Sequence, residues 1–136
     1  MEVNNNVSYV KVFNQVVDEF FRELIEIFPE EKKIKVRYSL FQTICKTNVR
    51  KTCHDFMYGS VNYLEKIAMK DGTLFTGKDK PSLLDELNFD YLWNSGISDN
   101  TKEVVWKYIK TFFTIGIKVI EMPPETHGII KYIIEN

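Results

Sequence analysis

Apolar residues recur along this chain at intervals of three and four, the spacing that predicts helices. The most heavily apolar stretch is Ile97–Ile120, ISDNTKEVVWKYIKTFFTIGIKVI. It reads as one long helix. Ser98 is a good N-cap, and Asp99 puts a negative charge in the first turn, where the helix dipole favours it. Polar side chains return at Glu103, Lys107, Lys110, Thr111, Thr114 and Lys118, which fall on one narrow stripe at a 3.6-residue period. Apolar side chains cover the rest of the girth, so this helix is expected at the centre of a bundle, or under a partner.

The other segments are more two-sided. Phe13, Val16, Val17, Phe20, Leu24, Ile27 and Phe28 predict a first helix over about Ser8–Phe28, after a flexible tail of residues 1–7. Pro29 ends it, because the residue before proline avoids the helical region. Glu30 to about Thr47 predicts a second helix with Ile34, Tyr38, Phe41, Ile44 and Cys45 inward. Asn48 is a candidate cap for a third, stopped near Gly59. Ser60 is one for a fourth, Val61–Lys70. Asp71-Gly72 signals a turn, and residues 71–82 form the main loop. Leu83–Leu87 predicts another short helix, and Pro123-Pro124 separates the long helix from a last one, Glu125–Ile134. The expected fold is an all-α, single-domain bundle of about six helices over residues 1–136, with the long apolar helix central and near the C-terminus.

Composition supports a packed core. Apolar residues make up 44% of 136, with 10 Phe and 7 Tyr, which argues against disorder. Net charge is −1, but it is unevenly spread: residues 1–31 carry −5, residues 32–80 carry +7, and residues 81–136 carry −3. The basic run Lys32, Lys33, Lys35, Arg37, Lys46, Arg50 and Lys51 is the candidate surface for nucleic acid or another polyanion. The alternative is internal pairing with the acidic helices. A helix-turn-helix around Lys46–Lys51 is conceivable, yet Val49, Cys53 and Phe56 read as its buried side and no recognition helix is evident. The start, Met-Glu-Val-Asn-Asn-Asn, has no secretory h-region, so an intracellular setting with free Cys45 and Cys53 is expected. The longest uncharged run of the apolar helix, Thr111–Ile117, is far short of the ~20 residues a membrane span needs.

Candidate chemistry is sparse. Gly72–Asp79, GTLFTGKD, approaches the phosphate loop G-x-x-x-x-G-K-[ST]. It lacks the preceding strand, Asp79 replaces the metal-binding hydroxyl, and Pro81 follows at once, so a surface turn is expected. Cys45, Cys53, His54 and His127 do not have the spacing of a zinc site. Cys53 and His54 are adjacent, so on a helix they diverge and make a poor nucleophile–base pair. Glu30-Glu31 and Asp85-Glu86 read as solvated helix surface rather than an acid–base set. No enzyme, cofactor or metal is expected.

Several phrases occur in a familiar order. Phe13-Asn14 leads to Phe28-Pro29. Ile67–Phe75, IAMKDGTLF, leads into Leu83-Leu84 and Leu92-Trp93. Ile97-Ser98 then runs through Thr101-Lys102 to Trp106-Lys107-Tyr108-Ile109. The chain thereby resembles small helical proteins of the nucleocytoplasmic large DNA viruses, the giant-virus group. The resemblance rests on apolar spacings and caps over most of the chain, and a Lys/Asn/Ile-rich composition is in keeping with it. It implies a viral, intracellular helical protein packaged in the particle or acting in the host cytoplasm. It brings no activity and no catalytic residues.

The resulting expectation is a non-enzymatic interaction or structural protein, with polyanion binding as the alternative. A small bundle leaves so apolar a helix incompletely covered. The candidate interface is Phe113, Ile117, Ile120, Ile130, Ile133 and Ile134, serving a homo-oligomer or another protein.

Overall fold

The computed structural model of the chain describes residues 2–76 and 89–136. Helices account for about four-fifths of these, and no strand occurs among them. In chain order they are α1 (Glu2–Ile27), α2 (Lys32–Thr47), α3 (Lys51–Gly59), α4 (Leu64–Ala68), α5 (Thr73–Thr76), α6 (Phe89–Asn94), α7 (Asp99–Gly116) and α8 (His127–Glu135). Single 3-10 turns, Val61–Tyr63 and Pro124–Thr126, lead into α4 and α8. The all-α bundle read from the sequence is the observed class. The expected Leu83–Leu87 helix, with Lys78 and Asp79, lies outside the described residues.

α1 buries one stripe, Val10, Phe13, Val17, Phe20, Phe21 and Leu24, at three- and four-residue spacing. It begins at Glu2, where a tail was expected, since no glycine or proline interrupts residues 2–7. Pro29 ends it as expected, and the Phe28 N–H still closes on the Leu24 carbonyl at 2.8 Å. The Glu31 N–H bonds the Phe28 carbonyl, so Glu30 and Glu31 belong to the turn and α2 starts at Lys32. Asn48 ends α2 rather than capping α3: its N–H bonds the Ile44 carbonyl at 2.7 Å. The Ser60 hydroxyl donates back to the Phe56 carbonyl at 2.6 Å, so it caps nothing downstream.

α7 opens as its sequence demands. Ser98 is extended, and its Oγ accepts from the Thr101 N–H at 3.1 Å. The helix stops at Gly116, four residues before the end the sequence suggests, and the chain turns over 117–120. Gly116 marks a close crossing: a Cβ there would stand 2.4 Å from the Met57 Sδ. α7 is also two-sided. Val105, Trp106, Ile109, Phe112, Phe113 and Gly116 are buried, while Val104, Tyr108 and Ile115 are half-buried. The longest described helix is α1.

α1 packs on α7, α2 and α3, and α8 packs on α4 and α7. α7 therefore joins two aromatic groups in one continuous core. Phe13, Phe20, Phe56 and Phe112 meet at centroid distances of 5.2–6.2 Å, and Phe113 lies 5.2 Å from Phe56. Trp106 lies 5.1 Å from Phe75 and 5.9 Å from Trp93. Such ring pairs add roughly 0.5–1.5 kcal/mol each beyond their burial. Two phenols bind helices together at the surface. The Tyr38 hydroxyl of α2 donates to Asp18 of α1 at 2.6 Å and accepts from Arg22 Nε at 3.0 Å. Tyr108 of α7 donates to Glu23 of α1 at 2.6 Å.

Candidate functional site

An open groove with apolar walls lies at the C-terminal corner. Once α7 has ended at Gly116, the chain turns over residues 117–120 and keeps Ile120 and Met122 in the core. Pro123 is extended, with ψ 138°. The Thr126 N–H and hydroxyl both donate to the Pro123 carbonyl, at 2.9 and 2.6 Å. His127 Nε2 donates to the Met122 carbonyl at 2.8 Å. This knot sends α8 back across the end of α7. Between the turn and α8 it leaves an open groove of about 760 Å³.

Ile120, Met122 and Ile130 are buried and form the groove floor, with Ile117 and Ile134 on its walls. Ile117 is 41% exposed. The rim carries both signs. Lys118 lies over the Tyr9 ring at 5.4 Å, Lys131 reaches Glu135 at 4.0 Å, and Glu121 is exposed. The groove has no nucleophile, and its one histidine is engaged in holding the turn.

Four candidate interface residues, Ile117, Ile120, Ile130 and Ile134, come together here. Phe113 and Ile133 do not. Phe113 is fully buried against Phe56, and Ile133 is buried in the core. Both point inward because α7 and α8 each turn one apolar face into the bundle, and a helix apolar on several sides does not reveal which face that is. Val119 and Met122 belong to the groove and were missed. Their signal was an apolar run continuing up to Pro123-Pro124.

The basic residues 32–51 are spread around their elements. With Ile34 and Phe41 buried, helical period puts Lys32 on the outer face of α2, Lys35 and Lys46 on one flank, and Lys33 and Arg37 on the other. Lys51 opens α3 and pairs with Asp55 at 2.8 Å. Lys46 lines a shallow groove between α1 and α2 that also holds Asp18, Glu19 and Arg22, so charge there is mixed.

The thiols are both free, with Cys45 half-buried and Cys53 fully buried. Burial pushes Cys53 up to about 12 and raises Cys45 as well, which keeps both as unreactive thiols at neutral pH. Among the described residues, no group of three or more His, Cys, Asp or Glu is placed to hold a metal ion. The start of the phosphate-loop-like phrase is a turn followed by one short helix. Asp71 accepts from the Thr73 N–H at 3.0 Å and from its hydroxyl at 2.8 Å, and these bonds lower its carboxyl below the usual range. A Cβ on Gly72 would stand 2.6 Å from Trp93 Nε1, so this glycine is required by the indole packed on it. No helix among the described residues is long and apolar enough to cross a membrane.

Compared with known proteins, the chain matches no family model, no curated protein and no solved structure.

Proposed function

We propose that this is a non-enzymatic interaction protein that self-associates through its C-terminal groove. The observation that carries the reading is the open apolar groove between residues 117–122 and α8. A second copy fits it on two grounds. A two-fold contact needs a surface that complements itself. Ile117 and Ile134 can each enter the groove of a neighbour, and Lys118 and Lys131 can meet Glu121 and Glu135 across it.

The resemblance to proteins of large DNA viruses supports placing the assembly in a virus particle or in the host cytoplasm. That setting, like the self-association, is part of the proposal.

The test is an isotope-filtered NMR experiment on a mixture of labelled and unlabelled protein. Intermolecular contacts are expected between the methyl groups of Ile117 and Ile134 and residues 117–135 of the other copy. Contacts confined to α2, or none at millimolar concentration, would contradict the reading.

A further inference from the structure

On the far side of α8 from the groove lies a second cleft of about 410 Å³, between α4, α7 and α8. Ile67, Ile109, Ile133 and Trp106 make its apolar floor, and Tyr132, 49% exposed, stands at its edge. The rim carries three lysines, Lys70, Lys107 and Lys110, together with Glu103 and Asn136. Lys70 approaches Glu103 at 3.8 Å, with both side chains about half exposed. Neither Lys107 nor Lys110 has an ion-pair partner among the described residues.

The backbone at Lys70 adds to this picture. Its φ is 50°, in the left-handed region. The Asp71 N–H bonds the Lys66 carbonyl at 2.9 Å, and the Lys70 N–H bonds the Ile67 carbonyl at 3.1 Å. This is the Schellman ending of α4, and Lys70 holds the position where glycine fits most easily. A residue in this conformation is strained, and such strain clusters where a side chain is needed. Here the position delivers an ammonium to the cleft.

We infer that the cleft binds a small organic anion that joins a flat ring to a phosphate. The ring stacks on Tyr132, the exposed aromatic at the edge of the apolar floor, since aromatic faces stack on any planar ring. The phosphate sits among Lys70, Lys107 and Lys110, where charge-assisted hydrogen bonds are strongest. The cleft and the groove use opposite flanks of α8, so this inference stands apart from the self-association.

The probe is adenosine monophosphate, titrated into the full chain and followed by tryptophan fluorescence and amide shifts. Adenosine and inorganic phosphate are run as separate arms. Saturable binding of the monophosphate is expected, tighter than either part alone and weakening as salt rises. Lys107→Gln with Lys110→Gln should weaken it by about tenfold or more, through loss of two charge-assisted bonds. Lys107→Arg with Lys110→Arg should preserve it. Lys70→Gly should raise the melting temperature, by relieving the strained position, and yet weaken binding. The inference is overturned by no binding at millimolar probe, by phosphate or adenosine binding as tightly as the monophosphate, or by affinity indifferent to the three lysines.

Discussion

Trp106 shows how much one side chain can hold. It is 7% exposed and touches Phe75 and Trp93, and these three rings form the core beneath α5, α6 and α7. Its burial was legible in the sequence, because it sits on the apolar side of a strongly periodic segment. Truncating a buried aromatic of this size costs roughly 3–5 kcal/mol. Trp106→Ala should therefore lower the free energy of unfolding by that much, read as a lower denaturant midpoint, or leave too little folded protein to measure. A midpoint like the parent's would mean that the core lies elsewhere. Cys53, read from the sequence as buried, gives a pH signature, because burial raises its thiol to about 12 from 9.0. Between these values the unfolded chain gives up its proton first, so stability falls as pH rises. By pH 10.5 the loss from this one residue is about 2 kcal/mol. Cys53→Ala should start less stable at pH 7 and lose that much less on going to pH 10.5. Equal losses in both proteins would refute the assignment.

Element boundaries were legible where they depend on neighbours in sequence. Pro29 and Ser98 act through the adjoining backbone, so the end of α1 and the start of α7 follow from the residues themselves. The end of α7 was misplaced because the apolar pattern runs on through Ile117, Val119 and Ile120. Gly116, where the helix stops, is where α3 comes closest, through Met57. That contact joins residues far apart in the chain, and no local pattern records it. Lys70 is a second such case: α4 ends in a left-handed residue that is not glycine. The crossing at Gly116 makes a signed prediction. Gly116→Ala should destabilise by about 1–3 kcal/mol through overpacking against Met57. In a Met57→Ala background the same change should become neutral or favourable, toward the ~1 kcal/mol that alanine gains over glycine in a helix. Equal costs in the two backgrounds would show that the two residues do not press on each other.

For the whole molecule, the sequence made the all-α class legible, and it mixed core with surface at the C-terminal end. Phe113 and Ile117 are one helical turn apart, yet the first is fully buried and the second 41% exposed. The difference is that α7 has already ended between them. Ile130 and Ile134 are likewise one turn apart on α8, and both line the groove opposite residues 117–122. The proposed assembly has a second copy of the chain covering this groove. Sedimentation velocity over a hundredfold range of concentration tests it most directly, with the parent beside Ile117→Glu and Ile134→Glu. The parent should shift from monomer to dimer as concentration rises, and each variant should stay monomeric with an unchanged melting temperature. A parent that remains monomeric throughout, or variants that dimerise as well as the parent does, would contradict the claim.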